Sequence, residues 1–322
     1  MNAPTFRRFV GTVAIVAGLA TASGAFALDD LKIIAPAKPG GGWDQTARAM
    51  QEVIQSAGIA KAVTVENVAG AGGTVGLAQL VDREKGNPKT LMVNGLVMVG
   101  AILTNQSAVT LDQTTPIARL TGEYEVIVVP KSSDIQNLGQ LVDKLKADPA
   151  SVAWGGGSAG GTDHILAGLI AQAVGADATK VNYVPFSGGG EALAAVMGGH
   201  VTAGVSGLSE WIGQIQSGEL RALAISSPER IKGVDIPTLK EQNVNVDLAN
   251  WRAVVAPPGI DDAQKKALVD AIDAMVKSDG WKKVLADKDW MDLYMSGDEF
   301  TKYLADENAR VSAILKTLGL VT

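Results

Sequence analysis

Short apolar segments of this chain run repeatedly into glycine clusters and then into helix-forming stretches, and this junction limits the possible folds. The first joins the apolar run 31–34 to the glycines at 40–42, followed by Trp43 and Asp44. Glycines let backbone N–H groups turn inward without Cβ clashes, and the N-terminus of the next helix carries a partial positive charge. The junction therefore predicts a site for a carboxylate or phosphate that needs no basic side chain.

Further copies of this junction follow along the chain. The clearest one spans 154–164, and two more span 186–191 and 206–210. In open α/β sheets, ligands bind beyond the carboxyl ends of the strands, where all of these loops would lie. Their presence in different parts of the chain predicts an anion held between two lobes.

The first 27 residues have the features of a secretory signal peptide. Arg7 and Arg8 precede an apolar run at 10–20, and the small residues at 25–27 predict cleavage after Ala27. A retained membrane anchor is the alternative, but the run is short for a transmembrane helix. We therefore expect export to the periplasm. The chain has no cysteine, so export would occur without disulfides, which a chain of this length does not need.

The charge balance argues against a nucleic-acid partner. Without Arg7 and Arg8, 26 of the 28 basic residues remain against 34 acidic ones, a net charge of −8. A small anionic ligand is still possible, because a local field can oppose the global one. The chain also lacks cysteines, a His-x-x-x-His pair and a calcium-type acidic loop. We expect no metal and no cofactor.

Short β-rich runs alternate with helical patterns, which predicts an α/β fold. The predicted strands are 32–36, 63–67, 90–93, 126–129, 152–155, 181–184, 203–206, 220–225 and 253–256. The predicted helices are 44–57, 137–147, 163–174, 191–197, 262–277 and 299–318. Strand-like runs end abruptly near Pro130 and Pro228. We therefore predict two lobes, one from 28–128 plus 228–322 and one from the insert 129–227, with the ligand cleft between them.

Two residues of the first junction each have two interpretations. Asp44 would act as a helix N-cap that shapes the loop, or would reach a ligand through water or a hydroxyl. Trp43 would form an apolar wall of the site or belong to the core. The junction as a whole could also be a tight turn without a ligand.

The second junction matches two catalytic or nucleotide-binding patterns. Its glycines at 155–160 fit a dinucleotide fingerprint, but the next strand ends in 185–187 instead of the acidic residue that this motif needs. Ser158 fits a nucleophile elbow, yet the chain has only His164 and His200, and neither is well placed as a triad base. We therefore expect that the chain is not an enzyme. We expect instead that this loop donates hydrogen bonds to an acceptor-rich ligand.

Five motifs occur in a characteristic order: Pro-Gly-Gly-Gly-Trp-Asp at 39–44, Val-Glu-Asn-Val-Ala-Gly-Ala-Gly-Gly-Thr-Val-Gly at 65–76, Gly-Gly-Ser-Ala-Gly-Gly-Thr-Asp-His at 156–164, Val-Pro-Phe-Ser-Gly-Gly-Gly-Glu-Ala at 184–192, and Gly-Gly-His-Val-Thr-Ala-Gly at 198–204. In this order they resemble the Bug family, the periplasmic solute-binding receptors of tripartite tricarboxylate transporters. Trp43 and the loop at 206–207 look like its citrate-type subgroup. The resemblance implies a two-lobed Venus-flytrap fold of type II, each lobe a mixed sheet flanked by helices.

The resemblance also implies ligand-binding residues and partners. The residues expected to bind the ligand are Gly41, Gly42, Trp43, Asp44, Ser158, Gly160, Gly161, Thr162, His164, Ser187, Gly188 and Ser206. We expect a monomer that captures a small, citrate-like di- or tricarboxylate and delivers it to a membrane permease of a large and a small subunit. The alternatives left open are a periplasmic hydrolase using Ser158 and a sensor subunit that presents its ligand to a receptor kinase.

Overall fold

A computed structural model describes residues 28–322, so the predicted signal peptide lies outside the described residues. The strands are β1 (Leu28–Ala35), β2 (Ala60–Asn67), β3 (Thr90–Gly95), β4 (Thr115–Pro130), β5 (Ala153–Gly156), β6 (Asn182–Pro185), β7 (Ala203–Gly207), β8 (Leu220–Ile225), β9 (Ala249–Ala256) and β10 (Met291–Ser296). The α-helices are α1 (Gly42–Ser56), α2 (Thr74–Arg83), α3 (Leu96–Thr104), α4 (Leu138–Ala147), α5 (Thr162–Ala173), α6 (Gly189–Met197), α7 (Leu208–Gln216), α8 (Asp262–Lys277), α9 (Asp279–Asp287) and α10 (Gly297–Thr317). Within this part of the chain, no helix combines the length and the apolar character that a membrane span requires.

Strand β4 is 16 residues long, and its two halves pair with different strands. From Thr115 to Tyr124 it runs antiparallel to β9, and β10 pairs with the same half. From Glu125 to Pro130 it pairs with β7 and β8. The full strand order is β2-β1-β3-β9-β4-β7-β5-β6, with β8 and β10 added to β4. Parallel and antiparallel pairs occur on both sides of β4, which therefore belongs to two mixed sheets.

The second half of β4 is buried on both faces. Val126 and Val128 pack into a smaller apolar cluster beneath α6 and α7, whereas Ile127 and Val129 pack into the main core. Successive side chains of a strand point to opposite faces, so a continuous apolar run fits a strand that is covered on both sides.

Most predicted elements occur where the sequence placed them, and α8 has the predicted bounds. Its start is fixed by a capping box, in which Asp261 and Gln264 exchange side-chain and backbone hydrogen bonds. The first half of β4 and all of β10 were missed, because polar residues such as Arg119 and Asp292 interrupt the apolar pattern. Helix α3 was also missed, since it is apolar on nearly every side and gives no helical periodicity.

Candidate functional site

The glycine loops of both sheets surround one cavity of about 410 Å³. Of the twelve residues predicted to bind a ligand, seven line it: Gly41, Gly42, Trp43, Ser158, Ser187, Gly188 and Ser206. The other five lie off the wall: Asp44, Gly160, Gly161, Thr162 and His164. The cavity is therefore built by the loops that the sequence indicated, but several of their side chains point elsewhere.

Asp44 holds the first loop in shape. Its Oδ2 accepts a hydrogen bond from the backbone N–H of Gly40 at 2.8 Å, and its Oδ1 accepts one from Asn67 Nδ2 at 2.8 Å. Arg48 Nε donates to both carboxylate oxygens at 3.0 Å. Burial raises the pKa of Asp44, but the hydrogen bonds from Arg48, Gly40 and Asn67 outweigh it, so the pKa lies below its usual value. The charged carboxylate ties the loop to α1 and β2.

The prediction that Asp44 caps the first helix is wrong. Helix α1 begins at Gly42 with Gly41 as its N-cap, and no side chain bonds to that cap position. Asp44 stands in the first turn and reaches back to the preceding loop instead. Trp43 is 8% exposed and fills both predicted roles, since it lines the cavity and packs against Gly73, where a Cβ would lie 2.7 Å from the indole ring.

The side chains of the second loop fasten it from behind. The backbone N–H of Gly160 donates to His164 Nδ1 at 3.1 Å, and the imidazole stacks on the ring of Tyr183 at 4.1 Å. Burial lowers the pKa of His164 to about 4, so the ring is neutral and Nδ1 can accept. Thr162 Oγ1 is 3.2 Å from Asn250 Oδ1, to which it donates. These residues position the loop on its neighbours.

The second loop also lies directly against α3 of the other sheet. A Cβ atom on Gly100 would lie 1.9 Å from the carbonyl oxygen of Gly160. A Cβ on Gly161 would come within 3.0 Å of an α3 side chain, and Thr104 Oγ1 donates to the carbonyl of Ala159 at 3.3 Å. Glycine at position 100 is what permits this approach. The two sheets are thus in close contact beside the cavity.

A buried charged cluster at the cavity was missed by the sequence reasoning. Asp163, Glu210 and Arg252 line the cavity, and Arg252 forms a buried ion pair with Glu123. Glu210 Oε1 lies 4.0 Å from Arg252 Nη2. Asp163 Oδ2 accepts a hydrogen bond from the backbone N–H of Gly157 at 2.6 Å. One guanidinium therefore faces several carboxyl groups.

Burial changes the protonation of this cluster. Burial and the charge of Glu123 raise the pKa of Glu210 to about 8, and burial raises the pKa of Asp163 to about 6. Burial lowers the pKa of Arg252, but the charges of Glu123 and Glu210 raise it by a larger amount. The pKa of Arg252 therefore lies above its ordinary value. Near neutral pH Glu210 therefore holds its proton most of the time, while Asp163 and Arg252 are charged.

Local sequence offered only a partial signal for these residues. Asp163 and Glu210 stand in the first turns of α5 and α7, inside two of the glycine junctions. Glu123 and Arg252 lie in the interiors of β4 and β9 and come together through strand pairing. Among residues 28–322, no group of three or more histidine and acidic side chains is arranged to hold a metal ion.

At the mouth of the cavity, Lys38 and Glu191 form an ion pair between the loop before α1 and helix α6. Both side chains are about half exposed. Glu191 Oε2 also accepts a hydrogen bond from the backbone N–H of Ser187 at 3.1 Å. The ion pair joins segments that belong to different sheets.

A sequence model described as "Tripartite tricarboxylate transporter family receptor", TctC, matches residues 46–320 of this chain. The chain belongs to this family. It is 26% identical to protein BugT of Bordetella pertussis over 327 aligned positions, covering 99% of each chain.

Two solved structures show the same fold as this TctC chain. MatC from Rhodopseudomonas palustris with bound malate superposes with a TM-score of 0.78 at 22% identity, covering 90% of this chain and 100% of that one. An R. palustris protein with adipate superposes with a TM-score of 0.81 at 20% identity, covering 91% and 98%. The predicted α/β, two-lobed periplasmic-binding-protein fold and the resemblance to Bug proteins are confirmed.

TctC proteins are receptors, so the expectation that this chain is not an enzyme is confirmed by its family. The geometry around Ser158 agrees with this. Its hydroxyl lines the cavity, and within residues 28–322 neither His164 nor His200 forms a hydrogen bond with it. The ligand-binding roles of the twelve predicted residues stay predictions.

Proposed function

We propose that this TctC receptor binds a small di- or tricarboxylate in the cavity between its lobes and delivers it to a permease made of a large and a small membrane subunit. One observation carries the proposal. Helices α1 and α6, from different sheets, begin at Gly41 and Gly188, which line the cavity, and neither helix has a side-chain N-cap. A ligand carboxylate would supply an acceptor at each helix start, beside Glu210, whose carboxyl group faces the backbone N–H of Gly42.

The energetics of such a site suit a receptor. The first N–H groups of a helix have no intrahelical partner, and each N-terminus carries roughly half a positive charge. Neutral donors bind an anion firmly once water is excluded, and they leave no buried basic residue unpaired when the ligand departs. The Ser158 and Ser187 hydroxyls, which also line the cavity, would add donors from the second sheet.

The class of ligand is supported by two structural neighbours, which hold the dicarboxylates malate and adipate. The cavity of about 410 Å³ lies within the usual range of roughly 300–1,000 Å³ for small-molecule sites. A citrate-like ligand is the finer proposal. It rests on Trp43 and the loop at 206–207, both of which border the cavity.

The location follows from the same proposal. A receptor that hands its solute to a membrane permease acts outside the cytoplasmic membrane, so we propose periplasmic export with cleavage after Ala27. The receptor would act there as a monomer, since each chain carries a complete cavity.

We further propose that the lobes are 28–128 plus 228–322 and 129–227, and that they open and close about the segments joining them. Strand β4 changes partners at Glu125, close to the first proposed boundary. Contacts from both lobes to one ligand would shift the population toward the closed form.

The test is a ligand screen on purified chain beginning at Leu28. Succinate, malate, adipate, tricarballylate and citrate would be compared by thermal unfolding, with phosphate and NAD as controls. A ligand that binds only the folded protein raises Tm by mass action. A rise with one or a few carboxylates is expected. No rise with any carboxylate would contradict the proposal. Delivery would be tested by solute uptake into vesicles holding the permease, with and without the receptor.

A further inference from the structure

The first turn of helix α7 joins the two sheets next to the cavity. Ser209 lies in this turn, on the side of the second sheet, whereas the groups that it bonds to belong to the first. Its hydroxyl donates to Glu123 Oε2 at 2.6 Å and accepts a hydrogen bond from the indole Nε1 of Trp290 at 3.2 Å. Ser209 and Trp290 are not part of the cavity wall. These bonds therefore link the sheets without facing a ligand.

The indole of Trp290 belongs to a closed cycle of contacts. It is 5% exposed, and the guanidinium carbon of Arg252 lies 5.1 Å from its ring centre. Arg252 in turn forms the buried ion pair with Glu123, whose other oxygen accepts from Ser209. These four side chains, the α7 cluster, each contact the next. Such a cluster favours one geometry, because moving one member leaves buried polar groups without partners.

The α7 cluster adjoins the cavity wall at the start of α1. Glu210 follows Ser209 directly, lines the cavity and faces the backbone N–H of Gly42. Arg252 also lines the cavity and lies against the same glycine. A shift of α7 relative to the first sheet would carry Glu210 away from Gly42. The position of α7 therefore decides the shape of this part of the wall.

The segment that carries Trp290 also reaches the first glycine loop. Lys288 Nζ donates to Gln45 Oε1 at 3.0 Å, and Gln45 Nε2 donates to the carbonyl oxygen of Gly40 at 3.1 Å. The ammonium group of Lys288 lies 5.3 Å from the centre of the Trp290 ring. A ligand that orders the first loop would therefore also order the segment that presents the indole to Ser209.

We propose that Trp290 is a positioning residue for ligand binding, whose indole N–H holds Ser209 and the first turn of α7 against the first sheet only while the lobes are closed on a ligand. The inference rests on the proposed receptor function and adds a residue outside the cavity to those that set affinity. A contact made only in the closed form shifts the population toward that form. Because the lobes must open before the ligand leaves, the contact slows release.

The decisive variant is Trp290→Phe, which keeps an aromatic ring beside Arg252 and removes the N–H. Stopped-flow release is measured at pH 7.5 on the chain beginning at Leu28. The probe is the tightest-binding compound among succinate, malate, adipate, tricarballylate and citrate. The dissociation rate should rise about fivefold, because the closed form alone loses a hydrogen bond, while the association rate stays within about twofold. An unchanged dissociation rate would overturn the inference and leave the receptor function standing. Binding of none of these compounds by the wild type would overturn both.

Trp251→Phe is the matched control. Trp251 is 2% exposed, and its Nε1 donates to Glu307 Oε2 at 2.8 Å. This bond joins β9 to α10, so it does not cross to the second sheet. The substitution should lower the free energy of unfolding and leave the dissociation rate unchanged. Equal increases of the rate in Trp251→Phe and Trp290→Phe would assign the effect to a general loss of stability and overturn the inference.

Variants of Ser209 test the other half of the bond. Ser209→Ala should also raise the dissociation rate, and Ser209→Thr, which keeps a hydroxyl, should bring it back toward the wild-type value. Adding Trp290→Phe to Ser209→Ala should change the rate by no more than about twofold, because both substitutions remove the same contact. Independent effects that multiply would overturn the inference. A wild-type rate in Ser209→Ala would do the same, even if Trp290→Phe did not fold.

Hydrogen exchange of the indole N–H groups gives a readout that a purely structural role would not change. The resonance of Trp290 is identified by its absence from the spectrum of Trp290→Phe. With ligand bound, this N–H should exchange with solvent at least about tenfold more slowly than without ligand. The N–H of Trp251 should exchange equally in both states. Equal exchange of the Trp290 N–H in both states would show that its bond to Ser209 does not depend on the ligand, which would overturn the inference.

Discussion

A Cβ atom placed on Gly42 would lie 2.2 Å from Nη2 of Arg252, so the first residue of α1 and the buried arginine leave no room for a side chain between them. The same Cβ would lie 3.0 Å from Glu210 Oε1. The N-terminus of α1 and the buried charged cluster of Arg252 and Glu210 therefore meet at this glycine, and a change there disturbs both.

Gly42→Ala should destabilise the protein by about 1–3 kcal/mol, because the buried guanidinium must move away from its ion pair with Glu123. Urea unfolding of the ligand-free protein measures this. Gly41→Ala is the control, since its Cβ would make only an ordinary contact at 3.6 Å and should cost within about 0.5 kcal/mol. If Gly42→Ala lowered the free energy of unfolding by no more than Gly41→Ala does, Arg252 would be able to move aside without cost.

Gly100→Ala should weaken ligand binding without weakening the fold. Its Cβ would lie 1.9 Å from the Gly160 carbonyl, so the second loop could no longer approach α3. Within α3 itself, alanine favours the helix by about 1 kcal/mol over glycine. We expect Kd to rise about tenfold or more while the urea midpoint is kept or raised. Gly213→Ala is the control, because its Cβ meets nothing within 4 Å. If Gly100→Ala lost stability and affinity together, the contact between α3 and the second loop would support the whole fold and not ligand binding in particular.

The ligand-free protein should lose stability as the pH rises from about 6.5 to 8. In the folded state the pKa of Glu210 is raised to about 8 from its ordinary value of 4.5 by burial and the charge of Glu123. A raised folded-state pKa gives stability that is complete below the unfolded value and is lost as the pH rises through the folded value. His164, with its pKa lowered by burial from 6.5 to about 4, acts in the opposite direction, but only below pH 6.5.

Thermal unfolding across this pH range checks the expectation. Glu210→Gln should make the decline shallower, because glutamine has no proton to lose, and the remaining slope would come from Glu125, whose pKa burial raises well above its ordinary value. Glu229→Gln makes the same substitution on an exposed side chain and should keep the wild-type slope. If Glu210→Gln also kept that slope, the decline would have to come from another group.

The ion pair between Lys38 and Glu191 should slow ligand release. Exposed pairs contribute roughly 0.2–1 kcal/mol, so Lys38→Gln is expected to raise the dissociation rate only about two- to fivefold. Stopped-flow release at low and high salt measures this, and added salt should reduce the difference between wild type and variant. Lys61→Gln, which breaks an exposed pair with Asp29 far from the cavity mouth, is the control. A salt-independent difference would rule out an electrostatic origin.

The sequence revealed the parts of the site that depend on local backbone. Glycine junctions mark strand ends and helix starts, so the loops around Gly41, Ser158 and Gly188 could be located from the amino-acid sequence alone. The charged cluster could not be located in this way. Arg252 stands opposite Thr121 in the pairing of β4 with β9, which brings it diagonally next to Glu123. A contact of this kind depends on strand register between residues far apart in sequence, and no local pattern encodes it.

Asp44 shows a second limit of local reasoning. An acidic residue after a glycine loop predicts an N-cap, yet the helix starts two residues earlier. The side chain bonds instead to Gly40, Arg48 and Asn67, and the last of these is supplied by β2. Whether Asp44 caps the helix or bonds back to the preceding loop thus depends on a tertiary partner, Asn67, which the local sequence does not show.

The shared strand β4 has a consequence for how the polypeptide is made. Its first half needs β9 and β10 as neighbours, and these are synthesised more than a hundred residues after it. Pairings between such distant segments form slowly and cannot begin until the chain is nearly finished. The nascent protein thus stays incompletely folded throughout translation, the condition in which a polypeptide can still be threaded through a secretion channel. If the gene were divided within β4, each of the two protein products would contain strands whose β4 partner lies in the other product.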